Sequence, residues 1–193
     1  MHSQTEKGSI SNSTLEGQLR EMYGRLAYTQ KTHEKMADAC TTKFRAVKTV
    51  EIVLSALSSG SLLIAVMGDS PAGSITGAVL STILLGILLY FKEGAIGESA
   101  QRHSEAAAKL WGLRERMLSL LVDFKEGLAV PEVRSRRDSL NAEMERVYQD
   151  SPRTSPRAYA EAQRALKKSE ELFFSDSELD RMLPKSLRRE SES

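Results

Sequence analysis

Two apolar stretches stand out from a chain that is otherwise amphipathic: Val50 to Met67, and Ala72 to Phe91, separated by Gly68-Asp69-Ser70-Pro71. The second carries no charged residue. At about 1.5 Å of rise per residue it is long enough to cross a hydrocarbon core of about 30 Å. Tyr90, Phe91 and Lys92 end it with an aromatic collar and a cation able to snorkel. The first stretch carries Glu51 near its start, where the carboxylate can reach headgroups or pair with Lys48. The pair predicts a transmembrane hairpin, with a first span at 50–67 and a second at 72–91.

The flanks set its orientation. Lys31, Lys35, Lys43, Arg45 and Lys48 precede the hairpin and Lys92, Arg102 and Lys109 follow it, whereas the connection holds Asp69 and no cation. Cytoplasmic loops carry the excess of Lys and Arg, so both termini are expected in the cytoplasm. The first 49 residues show no secretory signal pattern, and insertion is expected to rest on the hairpin itself.

Outside the hairpin the pattern is helical. Residues 1–14 are polar and read as a disordered tail. Ser13 and Glu16 form a capping box, and Leu19, Met22, Leu26, Thr29, His33, Met36 and Cys40 then recur at steps of three and four. That predicts an amphipathic helix over 15–49, with Thr29 and His33 as polar interruptions of its seam. His33 reads either as such an interruption or as a pH-sensitive group. After the hairpin, Ala106, Leu110, Leu113, Met117, Leu120, Leu121 and Phe124 form a second stripe, closed by Gly127 at a C-cap position. This stripe is expected to pair with the first seam. Pro131 opens a further helix carrying Val133, Leu140, Met144, Val147 and Tyr148, and Pro152 ends it. Ser155-Pro156 opens the next, with Tyr159, Ala162 and Leu166 on one side. Ser175 and Glu178 form a second capping box before a short helix stopped by Pro184. The fold class predicted is an all-α membrane protein: an N-terminal amphipathic helix, a two-helix hairpin, cytoplasmic helices over 99–186, and a tail over 187–193.

A net charge of +1, from 27 basic and 26 acidic residues, argues against sequence-specific nucleic-acid binding, and any anion site must be local. The single cysteine, Cys40, excludes an internal disulfide, and His2, His33 and His103 are too dispersed in sequence for metal-ligand spacing. Nucleotide-binding, nucleophile-elbow and zinc-protease motifs are absent, so neither cofactor nor enzymatic activity is expected.

The candidate residues are of four kinds. Ser55, Ser58 and Ser61 lie with Ala65 on one broad face of the first span, and Ser59 joins the three serines as a candidate. They either pack the hairpin or, once several hairpins assemble, line a narrow aqueous path. Gly73, Gly77 and Ser81 carry small-residue spacing that lets helices approach closely. Gly94 and Gly97 weaken the helix after the hairpin and could act as a hinge. Arg134, Arg136 and Arg137 form the densest basic cluster, able to meet a phosphate-bearing partner or to pair with Glu132, Asp138 and Glu143.

The helix-hairpin-helix layout is joined by a longer pattern: Leu110-Trp111-x-Leu113-Arg114-Glu115, Arg136-Arg137-Asp138-x-Leu140, Val147-Tyr148-x-x-Ser151-Pro152, Ala158-Tyr159-x-x-Ala162-Gln163 and Phe174-Ser175-Asp176-x-Glu178-Leu179. Together these resemble the SLATT family of small bacterial two-transmembrane proteins, most closely the branch found beside reverse transcriptases. The resemblance runs from Leu15 to Arg188 and makes 15–186 a single domain. It implies an inner-membrane effector that multimerises and opens a pore or disrupts the membrane on a nucleotide or reverse-transcriptase-linked signal, with cell death or dormancy as the outcome. It supplies no catalytic residues. The alternative is a membrane-anchored adaptor whose cytoplasmic helices recruit a partner without conducting.

Overall fold

The computed structural model describes residues 2–68, 71–91, 93–169, 171, 174–182 and 184, with the backbone alone at 2–13, 93, 94, 176 and 180. All regular structure among the described residues is helical. Helix α1, His2–Gly68, is followed by α2, Pro71–Phe91, and α3, Glu93–Lys125. Three shorter helices complete the order: α4, Val130–Asp150, α5, Pro156–Lys168, and α6, Asp176–Met182.

α1 is the axis of the molecule. It runs without a break through both the amphipathic helix and the first span, about 100 Å at the usual rise. It begins at His2, ahead of the start expected at Ser13. Residues 2–14 hold no proline and one glycine, so nothing there ends a helix. The tail over 187–193 lies outside the described residues.

The chain reverses between Gly68 and Pro71, and α2 and then α3 run back antiparallel along α1. Residues nearly equidistant from the reversal therefore meet. Ser58 faces Ser81, Lys43 lies over the Phe91 ring at 5.4 Å, Cys40 Sγ is 3.7 Å from Ser99 Oγ, and His33 faces His103. The far end of this pairing forms the apolar core. Leu15, Leu19, Met22 and Leu26 of α1 pack with Leu110, Leu113, Met117 and Leu120 of α3, and Val133, Leu140 and Met144 of α4 close it.

The local signals explain the ends of the elements. Gly127 has φ 103°, and Leu128 N–H donates to Asp123 O at 2.9 Å, the glycine-ended helix terminus anticipated for α3. Ser155 caps α5 by accepting from Ala158 N–H, with Pro156 in the first turn. Ser175 and Glu178 exchange hydrogen bonds across the first turn of α6. The buried face of α5 differs from the expected one: Ala158, Ala162, Ala165 and Leu166 are buried, and Tyr159 lies outside, its ring 6.0 Å from that of Tyr28.

The hairpin is apolar on the outside. Val66 and Met67 are 84% and 87% exposed, and Ile52, Leu63, Ile64, Ile75 and Leu89 are exposed with them. Only 11% and 6% of the most apolar windows of the two arms are buried, the inverse of a soluble core helix. Both helices are long and apolar enough to cross a membrane, and a lipid environment is what such a surface requires.

Candidate functional site

Two polar features interrupt this apolar frame, one inside the hairpin and one directly beneath it. In the hairpin, α1 turns Val47, Glu51, Leu54, Ser58, Ser61 and Ala65 toward α2, at alternating steps of four and three; the first, second and fourth are buried. Ser58 Oγ donates to Gly77 O at 3.2 Å and lies 2.6 Å from Ser81 Oγ. Small residues permit the approach. A Cβ on Gly73 would come within 2.9 Å of Ser61 O, and one on Gly77 within 3.1 Å of Leu62 Cγ. Ser61 Oγ donates to Leu57 O within its own helix. The four serines therefore divide: Ser58 is bonded across the seam and Ser61 folds back on α1, while Ser55 and Ser59 are exposed.

Glu51 belongs to the same seam. Its Oε2 lies 3.4 Å from Lys48 Nζ, the pairing that the sequence offered, but the side chain is only 9% exposed, facing the second arm rather than headgroups. Oε1 is the one buried side-chain oxygen or nitrogen among the described residues with no hydrogen-bond partner. A buried carboxylate oxygen without a donor is costly.

The second feature is a polar layer in the bundle. Gln30, Lys31, Thr32 and His33 are consecutive and all buried, so α1 is enclosed on every side at this level. His33 Nδ1 faces the equally buried His103 Nδ1 of α3 at 3.0 Å, one ring donating and the other accepting. Arg114 of α3 donates to Gln30 Oε1 at 2.8 Å. Thr29 Oγ1 meets Tyr148 OH of α4 at 3.1 Å. Lys31 Nζ bonds Glu34 at 2.8 Å and, from beyond α5, Glu171 at 2.6 Å.

The electrostatics follow the burial. Desolvation, then the neighbouring His103, pushes the His33 pKa down to about 4, and burial, then Arg102, lowers that of His103. Burial also works against the charge on Lys31, but hydrogen bonds to Glu171 and Glu34 outweigh it, and its pKa is raised. The bond from Lys31 holds the Glu171 carboxyl below the usual range.

The arginine cluster is occupied by carboxylates. Arg136 bonds Glu132 at 2.8 Å and Asp123 at 3.0 Å, and Arg137 bonds Asp138 at 2.7 Å and Gln18 at 2.8 Å. Glu143 pairs with Arg116 of α3. Arg136, Arg116, Asp123 and Glu143 line a cleft of about 300 Å³ between α3 and α4, and Arg134 lines a separate one with Arg137 and Gln18. Gly94 and Gly97 lie in the first turns of α3, where a Cβ on Gly97 would touch the Phe44 ring at 3.5 Å. No cluster of three or more metal-ligating side chains occurs among the described residues.

The geometry couples membrane and bundle. The helices that meet at the polar layer are those that continue into or follow the hairpin arms, so a change of packing at His33 and His103 has a rigid route to Glu51 and Ser58. Sequence reasoning gave His103, Lys31, Arg114 and Glu171 no part in a site, because the pairs His33–His103, Gln30–Arg114 and Lys31–Glu171 join residues far apart in the chain. Reflection about the chain reversal is the signal that finds His103. The model of the SMODS and SLOG-associating 2TM effector domain family 4 matches residues 15–178, while no curated protein and no solved structure matches.

Proposed function

The chain belongs to the SMODS and SLOG-associating 2TM effector domain family 4, and on that premise we propose that it is the pore-forming or membrane-disrupting effector of a bacterial conflict system. As a two-transmembrane effector domain it is a membrane protein. In the proposal it sits in the inner membrane with both termini cytoplasmic and multimerises through its hairpins. It opens on a nucleotide or reverse-transcriptase-linked signal, and the cell dies or becomes dormant. It works by assembly and carries no catalysis.

One observation carries the reading: two hydroxyls, Ser55 and Ser59, remain exposed on an arm whose other hydroxyls are used within the hairpin. Hydroxyls facing hydrocarbon gain nothing there, whereas hydroxyls facing the arms of neighbouring copies can border water. A single hairpin encloses no path, so the reading requires several.

Induced expression in a bacterial host with a membrane-potential dye tests it. Wild type, with its neighbouring genes supplied, is expected to depolarise the cells, and Ser55→Arg or Ser59→Arg to change the current while the protein still inserts. Ser58→Arg is the poorer probe, since that side chain packs the hairpin itself. Depolarisation identical in all three proteins would end the pore reading.

The adaptor reading has its own support. Trp111, Leu118 and Val122 are exposed on the side of α3 turned away from the core. If the hairpin only tethers, Trp111→Ala with Leu118→Ala abolishes partner recruitment and arginine at Ser55 does not.

A further inference from the structure

α5 is held by a shallow apolar face. It packs on α1, and the face it buries consists of three alanines and Leu166. What fixes it is polar and peripheral. Glu171, just beyond its end, takes Lys31 at 2.6 Å and Lys35 at 3.4 Å, and Ser155 at its start lies 3.3 Å from Met36 Sδ. Of the polar layer, Lys31 meets this catch, and on the other side of α1 its neighbours Gln30 and His33 bond Arg114 and His103 of α3. Lys31 is only 8% exposed, a degree of burial that lysine tolerates when paired. Lifting α5 removes one of its two carboxylates and brings water to a row of side chains that bond well to water.

We propose that α5 is an autoinhibitory strap, caught on α1 by Glu171, that keeps the polar layer closed and the hairpin arms in their resting packing. This rests on the effector reading above for its consequence in the membrane, though not for the strap itself. The shallow alanine face makes release inexpensive, and the ionic catch makes it sensitive to competing charge. Because α1 is continuous from the layer into the first span, hydration at 30–33 repacks α1 against α3 and shifts the arm above.

The test uses the full chain in lipid nanodiscs and in dye-loaded liposomes. Glu171→Lys sets three cations against one another at the catch. Amide exchange over residues 156–168 and 28–36 is expected to rise about tenfold relative to wild type, the loss of a charge-assisted pair being sufficient. Glu171→Gln gives a smaller rise in the same segments should the reversal misfold. Met36→Cys with Ser155→Cys, in a Cys40→Ser background and joined by a reducible thiol cross-linker, holds the strap down. Exchange at 28–36 should then stay slow and liposome leakage low until the linker is reduced.

Unchanged exchange in both Glu171 variants overturns the catch. Fast exchange over 156–168 with none at 28–36 overturns the closed layer. Leakage equal in cross-linked and reduced protein overturns autoinhibition. An opened layer with no leakage from any variant leaves the strap standing and removes the pore reading instead.

Discussion

A carboxylate oxygen that meets no donor weakens the interface that encloses it, and Glu51 Oε1 is in that position inside the hairpin seam. Glutamine has nearly the same shape, gives up only the 3.4 Å contact with a half-exposed Lys48, and puts a neutral amide where the carboxyl oxygen meets no donor. Glu51→Gln is therefore expected to raise the melting temperature of the full chain in detergent, by the equivalent of about 1 kcal/mol or more. It should also alter activity, since an ionisable side chain inside a membrane span is by default a functional position. A melting temperature unchanged or lowered would show that Oε1 costs the seam nothing. At this scale the sequence was informative where partners are close in the chain. The Lys48–Glu51 pair, the Arg136–Glu132 pair and the Ser155 cap all follow from spacings of three or four. It was silent where partners are distant. Thr29 and His33, read as interruptions of an apolar seam, are the residues that meet Tyr148 and His103.

Helix α1 and the start of α3 decide how motion could pass between membrane and bundle. No residue between Cys40 and Val50 ends a helix, so the amphipathic segment and the first span fuse into one rod. That leaves the two glycines early in α3 as the softer link. At Gly97 a Cβ meets the Phe44 ring at ordinary contact distance, so alanine fits without displacing α1. Alanine at both Gly94 and Gly97 should stiffen the first turns by about 1 kcal/mol per site. If these turns bend during opening, the double variant changes toxicity at matched expression. Equal toxicity at equal protein level removes the hinge. Periodicity and capping gave these elements closely, since caps and glycine ends are local chemistry. The first arm gave less: small-residue spacing pointed to close packing, but which serines turn inward depends on the rotation of α1 against α2, and periodicity leaves that free.

Across the whole molecule the acid-sensitive groups are unevenly placed, and this predicts how the protein comes apart. His33, with a pKa near 4 in the fold, is protonated in the unfolded chain near pH 6.5. Between those values the unfolded state holds the extra proton, so the contribution of His33 is complete above about pH 6.5 and declines as the pH falls toward 4. The slope reaches at most about 1.4 kcal/mol per pH unit for one such group. The lowered pKa of His103 acts in the same direction. The pair accepts one proton and keeps its Nδ1 contact, but a second leaves both nitrogens donating across 3.0 Å. Glu171 follows only in stronger acid, because a carboxylate with a depressed pKa keeps its stabilising charge until the pH falls through and below the usual carboxylate range. All three lie in the bundle, whereas the middle of the hairpin is held by hydroxyls, glycine contacts and lipid. Acidification from pH 7.5 to 5 in nanodiscs should therefore loosen the bundle first. Protease should cut between α4 and α5 while the Pro71–Phe91 arm stays protected and most helical signal persists. His33→Gln with His103→Gln should flatten this pH dependence, since the amides keep a hydrogen bond without titrating. If the double variant loosens over the same pH range as wild type, the histidine pair is not what ties the bundle's stability to pH.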